Sequence, residues 1–123
     1  MCLYSLQKSP LKAERDIECY KILIVLEDKY ITPYRDFIFE LNKPIVEDNE
    51  KVSTEIFGLT EIGQGFFHAF TSKDRVIEEI EILRRKCPKG TKLKVFNAII
   101  PKDSEYYVGQ RSDICGTSLM VLE

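Results

Sequence analysis

The chain contains no tryptophan, two methionines, a single histidine (His68) and four cysteines. Each scarcity removes a class of chemistry. One histidine leaves no H-x-x-x-H metal clamp. Cys2, Cys19, Cys87 and Cys115 form no C-x-x-C unit, so zinc-ribbon and thioredoxin-type sites fail on spacing. No G-x-S-x-G elbow is present, and Gly63-Gln64-Gly65 lacks the third glycine of a phosphate cradle and precedes a strand rather than a helix. We therefore expect neither a bound metal nor a cofactor. No apolar run approaches the ~18 residues of a membrane-spanning helix, and Met1–Lys8 lacks the charged start and apolar core of a secretory signal. The expected setting is the cytoplasm, that of the host cell if the chain is phage-encoded, with reduced thiols. With 18 basic and 20 acidic residues and a net charge of -2, the chain also lacks the basic field of a general nucleic-acid binder.

What remains is an ordinary globular composition, 44% hydrophobic and 31% charged over 123 residues, the size of one domain. Residues 1–16 read as an N-terminal arm with a short strand near Cys2–Leu6, and 17–123 as a single domain. Ile17–Leu26 is rich in β-branched and aromatic residues, and its continuous apolar second half predicts a central strand. Phe37, Phe39 and Leu41 alternate as in a half-buried strand. Val52–Ile62 reads as one further strand, Gly65–Phe70 as a short apolar one, and Leu93–Ile100 as a strand closed by Pro101. Glu105–Gly109 and a terminal strand within Ser112–Glu123 complete the set.

The firmest element is a helix over about residues 72–87. Thr71 or Ser72 supplies the cap, and Val76, Ile80, Leu83 and Cys87 share a face that Ile77 widens. Glu78, Glu79 and Glu81 sit early and Arg84, Arg85 and Lys86 late, which suits the helix dipole. Glu81 and Arg85 are spaced for an i,i+4 pair. The expected fold class is α+β: a strongly bent, mostly antiparallel sheet of about six strands packed on this one main helix.

The order Gly65-Phe66-Phe67-His68-Ala69-Phe70, a Thr71/Ser72-capped helix, Ile99-Ile100-Pro101, Tyr106-Tyr107 and a closing segment with Cys115, Val121 and Leu122 resembles a loose group of small uncharacterised domains from bacteriophages and gut bacteria. A Gly-Phe-His strand before a Ser/Thr helix start is also similar to the centre of the ADP-ribosyltransferase-like fold. That resemblance implies a nicotinamide-dinucleotide cleft, with Thr71 or Ser72 at the hydroxyl position, Phe70 as a stacking wall, and Tyr20 or Arg35 gripping the cofactor. Glu105 is the acid placed for that role, without a glutamate two positions earlier.

Tyrosine beside arginine is the composition of binding hot spots. Tyr34 and Arg35 form one such cluster, Tyr107 and Arg111 another. If both loops meet beside His68 and Thr71, these six residues line one ligand site. The expected function is an accessory binding protein of phage or bacterial origin that recognises a protein partner or small ligand through these loops. The alternatives are a nucleotide-binding or NAD-consuming enzyme and a homo-oligomeric structural protein. His68 otherwise reads as a buried, hydrogen-bonded strand residue.

Overall fold

The computed structural model describes residues 3–33, 37–47, 51, 53–63 and 65–123. The chain forms β1 (Leu3–Ser5), β2 (Leu11–Lys12), β3 (Ile17–Leu26), β4 (Lys29–Ile31), β5 (Ile38–Phe39), β6 (Pro44–Val46), β7 (Ser53–Ile56), β8 (Leu59–Ile62) and β9 (Phe67–Phe70). The helix α1 (Lys73–Lys86) follows, then β10 (Leu93–Ile100), β11 (Glu105–Val108), β12 (Asp113–Gly116) and β13 (Ser118–Val121). Ten strands form one sheet, in the order β2-β11-β12-β9-β3-β10-β13-β6, with β4 and β5 branching from β3. A second sheet has the order β1-β8-β7.

This corrects the expectation of a six-strand sheet on one helix. The helix is there, but two sheets carry most of the structure. The short strands β2 and β4, which were not expected, have only two and three residues and are too short to display a period. Val52–Ile62 proves to be two strands joined by a turn at Phe57 and Gly58, which have φ of 49° and 80°. The terminal segment splits at Thr117 into β12 and β13, which pair with different neighbours. The arm residues contribute β1 to the small sheet and β2 to the large one.

Only Thr117 separates β12 from β13, yet three other strands lie between them in the sheet. The sheet must therefore curl until its β12 and β13 sides meet. Its concave side encloses the main core: Cys19 and Leu23 from β3, Phe39 from β5, Phe67 and Ala69 from β9, Phe96 and Ala98 from β10, and Leu119 and Val121 from β13. Phe37, Phe39 and Phe67 pack with centroids 5.0–5.1 Å apart, mostly edge to face, the arrangement favoured by the ring quadrupoles. The predicted alternation of Phe37, Phe39 and Leu41 is present, with Phe39 buried and Ile38 turned outward.

Lys21 also points to this side, between Cys19 and Leu23. β3 and β9 share one bridge, Tyr20 with Phe70, and the Lys21 ammonium donates to the His68 carbonyl beside it. A lysine thus satisfies a strand carbonyl next to a one-bridge ladder, which accounts for a cation with only 9% exposure.

The opposite, convex side of the sheet is covered twice. Helix α1 lays Val76 and Leu83 on Ile22 and Phe70. Ser72 is its N-cap, accepting from the Arg75 amide, and the capping hydroxyl outcompetes Thr71 because Thr71 already donates to the Ser112 carbonyl. Ile77, expected to widen the buried stripe, is exposed, and Glu79 is buried in its stead. The small sheet lays Leu3 and Ile62 on Phe66, Tyr107 and Cys115. Its fit depends on Gly109, where a Cβ would stand 2.6–2.9 Å from the Leu3 side chain.

Candidate functional site

Of the six expected site residues, the four that lie within the described residues do not gather around one pocket. Tyr34 and Arg35 lie outside the described residues. Tyr107 is not on a loop but on β11, 3% exposed, with its ring 5.5 Å from that of Phe66. His68 is paired across the ladder with Cys115, which is itself paired with Tyr107. These three residues form a row on the convex side, and its Cys115 and Tyr107 end lies beneath the small sheet.

Thr71 and Arg111 do come together, at the corner where β9 enters the helix. The β11–β12 hairpin turns through Arg111 and Ser112, both left-handed at φ 57° and 63°. Consecutive φ > 0 is the geometry of a type I′ turn, normally Asn-Gly. Non-glycine residues held there cost about 1–2 kcal/mol each. The turn is anchored on three sides. The Thr71 amide and hydroxyl both donate to the Ser112 carbonyl, at 2.9 and 3.2 Å. Arg111 pairs with Glu78, and Asp113 faces Arg75 Nε at 3.5 Å.

Arg75 is the centre of this corner. It donates to Glu79 at 2.9 Å, packs its guanidinium 5.1 Å from the centroid of the Phe70 ring, and has a side chain only 10% exposed. Burial alone disfavours its charge, but the Glu79 hydrogen bond and the fields of Asp113 and Glu79 hold its pKa above the ordinary value. Asp113 is pushed above the usual aspartate value, first by burial and then by Glu79 and Glu78, with Arg75 and Arg111 opposing. The two residues differ because burial outweighs the opposing arginines at Asp113, whereas at Arg75 the surrounding carboxylates outweigh burial.

An acid whose pKa is raised by folding is best accommodated when protonated. Its contribution is present below the unfolded-state value and is lost as pH rises through the folded-state value. Asp113→Asn should therefore gain stability relative to the wild type as pH increases from about 3.8. Urea titrations of both proteins at pH 3.5 and pH 7 test this; a stability difference independent of pH refutes it.

The described cysteines Cys19, Cys87 and Cys115 are free thiols. Burial pushes Cys19 and Cys115 up to about 12 each, against smaller opposing effects of Lys21 and a backbone hydrogen bond from Ile100 on Cys19, and of one from Tyr107 on Cys115. Nucleophilic thiols need a depressed value, so the adjacency of Cys115 and His68 does not make a cysteine–histidine nucleophile. Glu105, the acid implied by the transferase-like resemblance, pairs with Lys51 at 2.7 Å.

Two surface features lie outside the sequence-based expectations. One is an open trough of about 920 Å³, lined by Leu11, Ile17, Ile99 and Tyr106 and by charged residues such as Glu14 and Arg15. The other is the β7–β8 hairpin. Phe57 at its tip is fully exposed and left-handed at once, although a bulky residue at positive φ is a conformational outlier. Glycine in the second turn position was the available signal: Phe-Gly between two alternating runs fits a two-residue hairpin loop.

No family model, curated protein or solved structure matches the chain.

Proposed function

We propose that the protein is a non-enzymatic accessory binding protein whose β7–β8 hairpin inserts Phe57 into an apolar pocket of a protein partner. The observation that carries this reading is the double cost at Phe57. The residue holds a strained backbone conformation and leaves a whole aromatic ring in water. Folding gains from neither, and strain of this kind is concentrated at functional sites. Aromatic residues that bury a ring in a partner are the usual anchors of interfaces. The Tyr/Arg surface expected from the sequence is less well supported, because Tyr107 is core and Arg111 is paired with Glu78.

A protein partner suits the tip better than an anionic membrane surface. Glu55 and Glu61 flank it, and Lys8 lies 2.9 Å from Glu55, so there is no basic cluster among the described residues of the tip to attract lipid headgroups. The NAD-consuming alternative has less behind it. Thr71 spends its hydroxyl on Ser112, and the first helical turn carries Asp74, which competes with an anion for the free amides. The three free thiols agree with a reducing, cytoplasmic setting, and the resemblance to phage and gut-bacterial domains agrees with an accessory role.

Phe57→Asn separates this role from a structural one. Asn-Gly is the preferred type I′ pair, so the variant should melt higher, by a gain of about 0.5–1 kcal/mol, while losing its partner. A photo-crosslinking residue at position 59 should tag one defined host protein in the wild-type background and not in the Phe57→Asn background. Equal tagging in both backgrounds, or a melting shift of the wild type with NAD, ADP-ribose or a cyclic dinucleotide, overturns the proposal.

A further inference from the structure

We infer that the same hairpin recognises its partner by strand addition: an extended segment of the partner pairs with the outer edge of β7 while Phe57 fills a pocket at one end of it. The inference rests on the binding role of Phe57 and adds the form of the partner. β7 is the end strand of the small sheet among the described residues. The sheet's other edge is closed, because Gln110 donates its amide to the Tyr4 carbonyl at 3.2 Å, Ser5 donates to the Val108 carbonyl at 2.6 Å, and the Val108 amide donates to the Gln7 side chain at 2.7 Å.

The large sheet guards its own ends. β6 begins with Pro44; β2 has two residues, follows Pro10 and ends in Lys12; β5 has two residues. Short strands, proline and lysine are the usual protections of an edge. β7 has four residues, Ser-Thr-Glu-Ile, with neither proline nor lysine.

The register fixes which amides are available. In a two-residue hairpin the closing pair, here Ile56 with Leu59, exchanges hydrogen bonds, and the pattern alternates from there. Thr54 therefore points its amide and carbonyl to β8, and Ser53 and Glu55 point theirs outward. A row of outward groups ending at a projecting aromatic ring matches the two components of strand-addition recognition, main-chain ladder and side-chain pocket.

A second copy of this chain fits poorly. Twofold antiparallel pairing about Thr54 sets Phe57 opposite Lys51, an exposed residue ion-paired with Glu105. Pairing about Glu55 sets two carboxylates face to face. Neither register offers Phe57 an apolar pocket, and a four-residue ladder alone falls far short of the ~1,200 Å² buried by stable interfaces.

The test uses a displayed library of random 12-residue peptides selected on the intact protein. Selected peptides should protect the Ser53 and Glu55 amides from hydrogen exchange. Glu55→Pro removes one outward amide without touching the β8 ladder and should weaken binding at least tenfold, whereas Glu55→Gln should bind within about twofold of the wild type; circular dichroism and melting confirm that both fold. Peptides that bind Glu55→Pro as well as the wild type, or that leave both amides unprotected, overturn strand addition. If such peptides still lose binding with Phe57→Asn, the pocket reading survives alone. Insensitivity to both variants removes both readings. A dimer in light scattering that Glu55→Pro dissolves assigns the edge to a second copy and also refutes the inference.

Discussion

Arg75→Ala is expected to lower the unfolding free energy by about 3–5 kcal/mol, the usual consequence of removing one partner from a buried ion pair. Arg75 answers two carboxylates, and Glu79 is 3% exposed. Removing the guanidinium strips Glu79 of a 2.9 Å charge-assisted bond and removes the contact with the Phe70 ring. The strained turn at Arg111–Ser112 also loses its link through Asp113. The double variant Arg75→Met/Glu79→Leu should recover most of the loss, since a buried pair replaced by well-packed apolar groups is often neutral. Urea midpoints of the three proteins decide the matter. A single variant within about 1 kcal/mol of the wild type would place the corner at the solvated surface, where ion pairs contribute little.

Phe39→Ala should cost a similar amount, about 3–5 kcal/mol. Phe39 is 1% exposed and has the rings of Phe37 and Phe67 at 5.0 and 5.1 Å, and Lys21 Nζ lies 6.0 Å from its ring centroid. Truncation opens a cavity inside the curled sheet, where ladders on either side resist collapse. It also removes two aromatic pairs, each contributing about 0.5–1.5 kcal/mol beyond area. Thermal melts should show a fall of about 10 °C or more. A shift of only a few degrees would mean that the interior closes around the gap.

The parts of the fold that were legible in the sequence are those long enough to show a period. Helix α1 spans four turns with a cap and a stop, and β3 and β10 run ten and eight residues. The remainder depends on pairing between distant segments, which leaves no local mark. β2 is a strand because β11 accepts it, and β6 because β13 does.

The site was legible only in fragments. Thr71 and Arg111 stand out in the sequence and reach the same corner, Thr71 through Ser112 and Arg111 through Glu78, but Asp113 and Arg75, which hold the corner together, are far apart in the chain. The i,i+4 spacing of Arg75 and Glu79 was in plain view. Glu81 and Arg85 have the same spacing on an exposed face, where Arg84 instead approaches Glu81 at 3.6 Å. Spacing does not say which face is buried. Phe57 reads as one more apolar residue because hydrophobicity predicts burial, and its full exposure departs from that rule.

The corner at Thr117 bears on how fast this chain reaches its native state. β12 and β13 are successive in the chain but pair with different neighbours, so the curled sheet is complete only once β9, β3 and β10 lie side by side between them. The ladders that finish the structure join β1 to β8, β2 to β11 and β6 to β13, each between segments distant in the chain. Closing such distances costs chain entropy before any contact repays it, and domains dominated by non-local pairing fold in milliseconds to seconds rather than microseconds. During that interval the unguarded β7 edge and the ring of Phe57 are both exposed to other unfinished chains. The same surface that suits a partner is thus where refolding at high concentration should go astray.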